Sequence, residues 1–167
     1  ELAVRGTVGR NVAAECTGLE TLSIDSDEVP EGIALGATAL TKVTLLQPVT
    51  TVKAHAFEGC TALKEVDLGN ILAIIEADAF LNSGIKSITV GAARPAAMSD
   101  GVFDESFADV TARVPAAYAE TYRNASGWKF LNIVGDENVA AGPSDMGMPA
   151  GIYFVRIKER AYKVMIR

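Results

Sequence analysis

Two cysteines, one histidine and several short acidic runs are the residues of this 167-residue chain whose types could do chemistry. A zinc site takes four protein ligands, or three when catalytic, and a thiol nucleophile needs a histidine held beside it. Cys16, Cys60 and the single His55 supply too few partners for either. Asp25-Ser26-Asp27-Glu28, with Glu31, offers oxygens of the kind calcium takes, yet lacks the ordered spacing and central glycine of an EF-hand loop. This run reads as a solvated turn, as do Asp100, Asp104, Glu105 and Asp109. An enzyme reading would require a deep pocket gathering Asp100, Asp104 and Glu105. Neither a Gly-x-Ser-x-Gly elbow nor a Gly-x-Gly-x-x-Gly loop occurs. The chain is expected to be non-catalytic, with no cofactor and no metal.

Those sparse groups must be carried by a folded scaffold, because apolar residues make up 49% of the chain and charged residues 22%. The formal charge of -6 is unevenly placed. Arg156, Lys158, Arg160, Lys163 and Arg167 stand against Glu159 alone at the C-terminal end, a local +4 that leaves -10 over residues 1–150. An acidic body argues against nucleic acid as a partner. No apolar run is long enough for a transmembrane segment. Leu2-Ala3-Val4 reads as strand interior without the flanks of a signal peptide, so the start is expected to be processed or trimmed.

The scaffold is legible as a repeat. Cys16-Thr17-Gly18-Leu19-Glu20-Thr21-Leu22-Ser23-Ile24 matches Cys60-Thr61-Ala62-Leu63-Lys64-Glu65-Val66-Asp67-Leu68 position for position, at two repeats of about 22 residues. Thr38 to Leu45 and Gly84 to Val90 carry the same apolar-x-x-apolar-x-apolar pattern. A second block, Val52-Lys53-Ala54-His55-Ala56-Phe57, aligns with Ile75-Glu76-Ala77-Asp78-Ala79-Phe80, with degenerate copies at Val29 to Ala34, Val8 to Ala13 and around Val102-Phe103. Leu2-x-Val4 and Ala112-x-Val114 add terminal strands, giving about six rungs. Each rung supplies one short strand with residues such as Val66 and Leu68 inward, while Phe57 and Phe80 fill the core from the opposite wall. His55, with Asp78 as its counterpart, is expected to be an exposed polar residue. Cys16 and Cys60 fall two rungs apart, about 9 to 10 Å, too far for a disulfide, and read as two buried core thiols.

The run Val52 to Leu68, with its Ala-Phe-Glu-Gly-Cys-Thr-Ala-Leu-Lys-Glu-Val centre, resembles the BspA-like leucine-rich-repeat family over residues 1 to about 114. Ala13 and Ala34 stand where that pattern has its aromatic. Val114-Pro115-Ala116, Tyr122, Gly127-Trp128-Lys129 and Asn132-Ile133-Val134 are similar to the segment that ends such arrays. The fold class that follows is a repeat solenoid with one short parallel strand row plus loops and short helical turns, a helical and aromatic C-terminal cap and a terminal β-hairpin. Met148 to Arg156 and Tyr162 to Arg167 also resemble the last strands of type IX secretion sorting domains of Bacteroidetes proteins.

By the residues themselves, Pro115 to Arg123 reads as a short helix and Trp128, Phe130, Leu131, Ile133 and Val134 as the closure of the stack. The expected organisation is a solenoid over 1–134 with its cap at 115–134, a Gly- and Pro-rich linker over 135–150 and a β-hairpin over 151–167. In the hairpin, Ile152 to Ile157 and Ala161 to Arg167 are joined by Lys158-Glu159-Arg160. Tyr153, Val155 and Ile157 share a wholly apolar face with Tyr162, Val164 and Ile166, which the chain's own acidic solenoid, another copy of the chain or a separate receptor could cover. Asn124-Ala125-Ser126 has the form of a glycosylation acceptor that a bacterial origin leaves unmodified.

Two surfaces are therefore candidates for interaction: the outward polar row with Lys42, Thr44, Glu65, Asp67, Ser87 and Thr89, and the hairpin face. The polar row lacks the Trp, Tyr and Arg favoured at tight protein sites. The resemblances imply an exported or cell-surface interaction module, adhesin-like, that meets a protein or glycan at the host or bacterial surface. The alternative is a periplasmic or outer-membrane scaffold assembled through the hairpin.

Overall fold

The computed structural model describes residues 1–46, 49–99 and 101–142, and the backbone alone of 151–157 and 160–166. Along the chain run strands β1 Leu2–Arg5, β2 Thr21–Asp25, β3 Glu28–Val29, β4 Lys42–Leu45, β5 Thr51–Val52, β6 Glu65–Asp67, β7 Ile74–Ile75 and β8 Ser87–Thr89. There follow β9 Ala97–Met98, β10 Thr111–Pro115, helix α1 Ala119–Asn124, β11 Asn132–Asp136, β12 Gly151–Ile157 and β13 Arg160–Ile166.

The repeat period becomes a register. Strands β1, β2, β4, β6, β8, β10 and β11 lie side by side, all parallel, in one seven-stranded sheet. Leu22, Val43, Val66, Ile88, Ala112 and Ile133 are successive partners, so the inward residues fall in one line. All six are buried. Strand alternation then turns Lys42, Thr44, Glu65 and Asp67 to the other side.

The expectation of a single strand row is corrected. Strands β3, β5, β7 and β9 form a second parallel sheet, two residues per rung, in the order they occur in the chain. Its inward residues Val29, Val52 and Ile75 are fully buried, while Ile74 beside them is 45% exposed. These are the leading apolar residues of the Val52-Lys53-Ala54-His55-Ala56-Phe57 block. A stretch of two extended residues is too short for alternation to show in sequence, and the ladder forms because the main sheet already stacks the rungs in register.

Beyond the second sheet the turns enter the left-handed region at two recurring positions, four residues apart. Asn11, Gly32, His55, Asp78 and Gly101 hold one such position (φ 57°, 60°, 56°, 57° and 81°), and Glu15, Gly36, Gly59 and Asn82 the other (φ 56°, 67°, 71° and 55°). Gly, Asn and Asp adopt this region at least cost, which accounts for most of these residue types. The turn also carries the core's third wall. Phe57 stacks on Phe80 with centroids 5.5 Å apart, and Phe80 on Phe103 at 5.7 Å. Ala13 and Ala34 hold the equivalent place in the leading rungs, both buried. Rungs approach closely at Gly84, where a Cβ would collide with the Thr61 carbonyl oxygen.

After β10 the chain does not form the single short helix expected from Pro115 to Arg123. Pro115 ends the strand, Ala116–Tyr118 is a 3-10 turn, and α1 begins at Ala119. Of the two tyrosines, Tyr122 is fully buried and donates its hydroxyl to the Ala92 carbonyl at 2.6 Å. Trp128, also fully buried, donates Nε1–H to the Ala96 carbonyl at 3.0 Å and sits edge-on to Tyr122 and Phe103. Ile133 belongs to β11, so the main sheet has seven rungs among the described residues rather than about six.

Residues 135–142, expected to open a linker, still pack on the sheet. Gly135 and Asp136 complete β11, and the Gly142 amide still donates to the Gly91 carbonyl at 2.7 Å. Residues 143–150 lie outside the described part. Strands β12 and β13 pair antiparallel, with Tyr153 opposite Val164 and Val155 opposite Tyr162. The strands start at Gly151 and Arg160, earlier than expected, so Ile157 stands opposite Arg160 and Ile166 opposite Gly151.

Candidate functional site

The outward rows of the main sheet run straight across its rungs. One reads Thr21, Lys42, Glu65, Ser87, Thr111, Asn132, and the next Ser23, Thr44, Asp67, Thr89, Arg113, Val134. All six sheet residues expected as candidates, Lys42, Thr44, Glu65, Asp67, Ser87 and Thr89, therefore fall on three neighbouring strands. Lys42 Nζ lies 3.0 Å from Glu65 Oε2, and Arg113 lies 3.6 Å from Asp136. Hydrogen bonds from the Asn138 amide and side chain, with Arg113 nearby, hold the Asp136 carboxyl below its usual range. Asp67 Oδ1 accepts the Gly69 amide at 2.9 Å.

The relief of this face is shallow. Lys42, Glu65, Asp67, Ser87 and Thr89 line a depression of about 130 Å³. Thr44, Leu46, Asp67, Asn70, Thr89, Asn138 and Val139 line an open groove of about 360 Å³ at the strand ends. Sequence reasoning missed this groove, because it forms only where residues 138–140 return beside the sheet.

The turn side carries a charge ladder. Lys53 bridges Glu28 at 3.5 Å and Glu76 at 3.2 Å, partners on the rungs before and after, and this pairing raises its pKa. His55 is a partly exposed surface residue as expected, with Nδ1 2.7 Å from Glu58 and 4.0 Å from Asp78. Its unforeseen property is the left-handed backbone it shares with Asp78.

The acidic runs serve local structure. Asp104 accepts hydrogen bonds from the Ser106 hydroxyl at 2.6 Å and amide at 2.9 Å, which lower its pKa. Asp100 lies outside the described residues. Among the described residues, no three His, Cys, Asp or Glu side chains gather for a metal ion. Asn124 donates to the Glu120 carbonyl at 2.8 Å.

The two cysteines are both free but differ in environment, which corrects the expectation of two buried thiols. Cys60 is fully buried, with Sγ donating to the Ala34 carbonyl at 3.1 Å, whereas Cys16 is exposed at the leading rung. Burial pushes the Cys60 thiol up to about 11. The fold favours the neutral thiol, so this contribution to stability is present below the free-thiol range and lost as pH rises towards about 11. Treatment of the native chain with iodoacetamide at pH 8 is expected to add one label, on Cys16, and treatment in denaturant to add two. Mass spectrometry reads the count, and two labels in the native state would contradict the burial of Cys60.

Among the described residues no helix is long and apolar enough to cross a membrane. No curated protein matches the chain. Residues 33–113 match the family of BspA type leucine-rich repeat regions, in 6 copies. The rungs in this stretch, stacked through Val43, Val66, Ile88 and Ala112, are therefore similar to repeats of the BspA leucine-rich type.

Proposed function

We propose that the chain is a non-catalytic protein-interaction module displayed outside the cell, adhesin-like in role, with the polar face of the main sheet as its contact surface. The observation that carries this reading is the register of Lys42, Thr44, Glu65, Asp67, Ser87 and Thr89 on adjacent strands. Regular, solvent-facing side chains at strand spacing suit a repeat protein that binds by broad contact. Residues of BspA type over 33–113 point the same way, since such repeats are protein-interaction modules of surface or secreted proteins. The polar composition favours modest affinity, strengthened by multivalent display.

Full-length chain, labelled and titrated against a panel of extracellular-matrix proteins and glycans, is expected to bind at least one member saturably. Replacing Thr44, Ser87 and Thr89 together by glutamate should weaken that binding while leaving the circular dichroism spectrum unchanged. Background signal across the whole panel would remove the adhesin reading.

A second reading rests on the antiparallel pairing of β12 with β13. A lone two-stranded hairpin is marginal in water. Tyr153 pairs with Val164 and Val155 with Tyr162, and these are the apolar residues that a second chain would cover. In this reading the molecule is a periplasmic or outer-membrane scaffold. Deletion of 151–167 separates the cases: lost oligomers with normal export favour the scaffold, and lost export favours a type IX sorting tail.

A further inference from the structure

The charges on the inner strands of the main sheet are unequally matched. Strands β2, β4, β6, β8 and β10 turn five charged residues outward: Asp25, at the end of its strand and with no ion pair among the described residues, Lys42, Glu65, Asp67 and Arg113. Lys42 pairs with Glu65 and Arg113 with Asp136. Asp67, like Asp25, has no ion pair among the described residues, but unlike Asp25 it stands at the middle of the sheet. It sits on β6, the fourth of the seven strands, and is half-buried. The Gly69 amide holds Oδ1, which fixes the carboxylate without neutralising it.

What surrounds Asp67 is suited to a cation. Register puts Thr44 on one side and Thr89 on the other, each one strand away. Their hydroxyls can accept further hydrogen bonds from an ammonium or guanidinium group. Asp67 and Thr89 line both the depression and the groove, so the carboxylate stands where the two meet. The groove adds an apolar contact, Leu46, which is 44% exposed. One carboxylate among neutral hydroxyls gives too few and too weakly charged oxygens for calcium.

We infer that Asp67 is the centre of the contact face and takes a lysine or arginine side chain from an extended peptide segment of the partner, with a neighbouring apolar residue resting on Leu46. A charge already half withdrawn from water gains more from such a partner than a fully solvated one does, and central positions carry most of the binding energy in interfaces. This deepens the proposed interaction role and rests on it.

The test uses the full 167-residue chain, 15N-labelled, with a capped Val-Lys-Thr-Lys-Val peptide as probe and its Lys-to-Glu counterpart as control. The lysine peptide is expected to shift the amides of Thr44, Asp67, Gly69 and Thr89, the control to shift none, and Asp67→Asn to weaken binding about fivefold or more. Shifts concentrated on Glu28 and Glu76, or titrations that Asp67→Asn leaves unchanged, would overturn the inference. So would movement of the Asp67 and Thr89 amides on Lys163→Glu without peptide, which would assign the seat to the chain's own basic tail. A matrix protein bound equally by wild type and Asp67→Asn would overturn this assignment while leaving the interaction role in place.

Discussion

Phe80→Ala is expected to lower stability by about 3–5 kcal/mol, the range for truncating a fully buried aromatic. Its ring lies between Phe57 and Phe103, so removal opens a cavity that two rungs line and breaks both stacking contacts. In a repeat protein the loss should spread to neighbours and fade with distance. Amide exchange should therefore quicken in β6, β8 and β10 more than in β1. Urea denaturation gives the size of the effect, and a change under about 1 kcal/mol would mean that the turns close around the smaller side chain. The alanine already at 34 does not predict tolerance, because the residue before it is the fully buried Ile33, where the rung of Phe80 has only Ala79.

Trp128→Ala should cost a similar amount, about 3–5 kcal/mol, for a different reason. Trp128 closes the aromatic stack against Phe103 and Tyr122, and its indole N–H satisfies the Ala96 carbonyl. Alanine leaves both the aromatic edge and that carbonyl uncovered. Trp128→Phe keeps much of the apolar area and loses the hydrogen bond, so its cost should be smaller, about 1–3 kcal/mol including the stranded acceptor. Denaturation of the pair by circular dichroism separates the two contributions. Equal midpoints for both variants would show that the hydrogen bond, not the ring's area, is what matters at this end.

The inward line Leu22, Val43, Val66, Ile88 and Ala112 was legible because each strand alternates and each rung repeats the alternation. The same logic placed Lys42, Glu65, Asp67, Ser87 and Thr89 on the outer face without a structure. Cys16 misled because equal repeat position implies equal burial only in the interior of an array. Cys60 has rungs on both sides, whereas Cys16 belongs to the leading rung of the described sheet. The second sheet was hidden for another reason, since β3, β5, β7 and β9 contribute two residues each and owe their pairing to neighbours.

The candidate site was legible as a list of polar positions and no further. The sequence places Asp67 beside Glu65 as one of two carboxylates on a strand, with nothing to tell them apart. Only the tertiary structure separates them, by bringing Lys42 within 3.0 Å of Glu65 and giving Asp67 the Gly69 amide and no cation among the described residues. By itself the amino-acid order determined the rung, its inward face and the aromatic wall, because these follow from periodicity in a single chain. Which charge is matched, which thiol is buried and where a groove opens were decided by contacts between rungs and by the return of residues 138–140 to the sheet, distances that no spacing along the chain encodes.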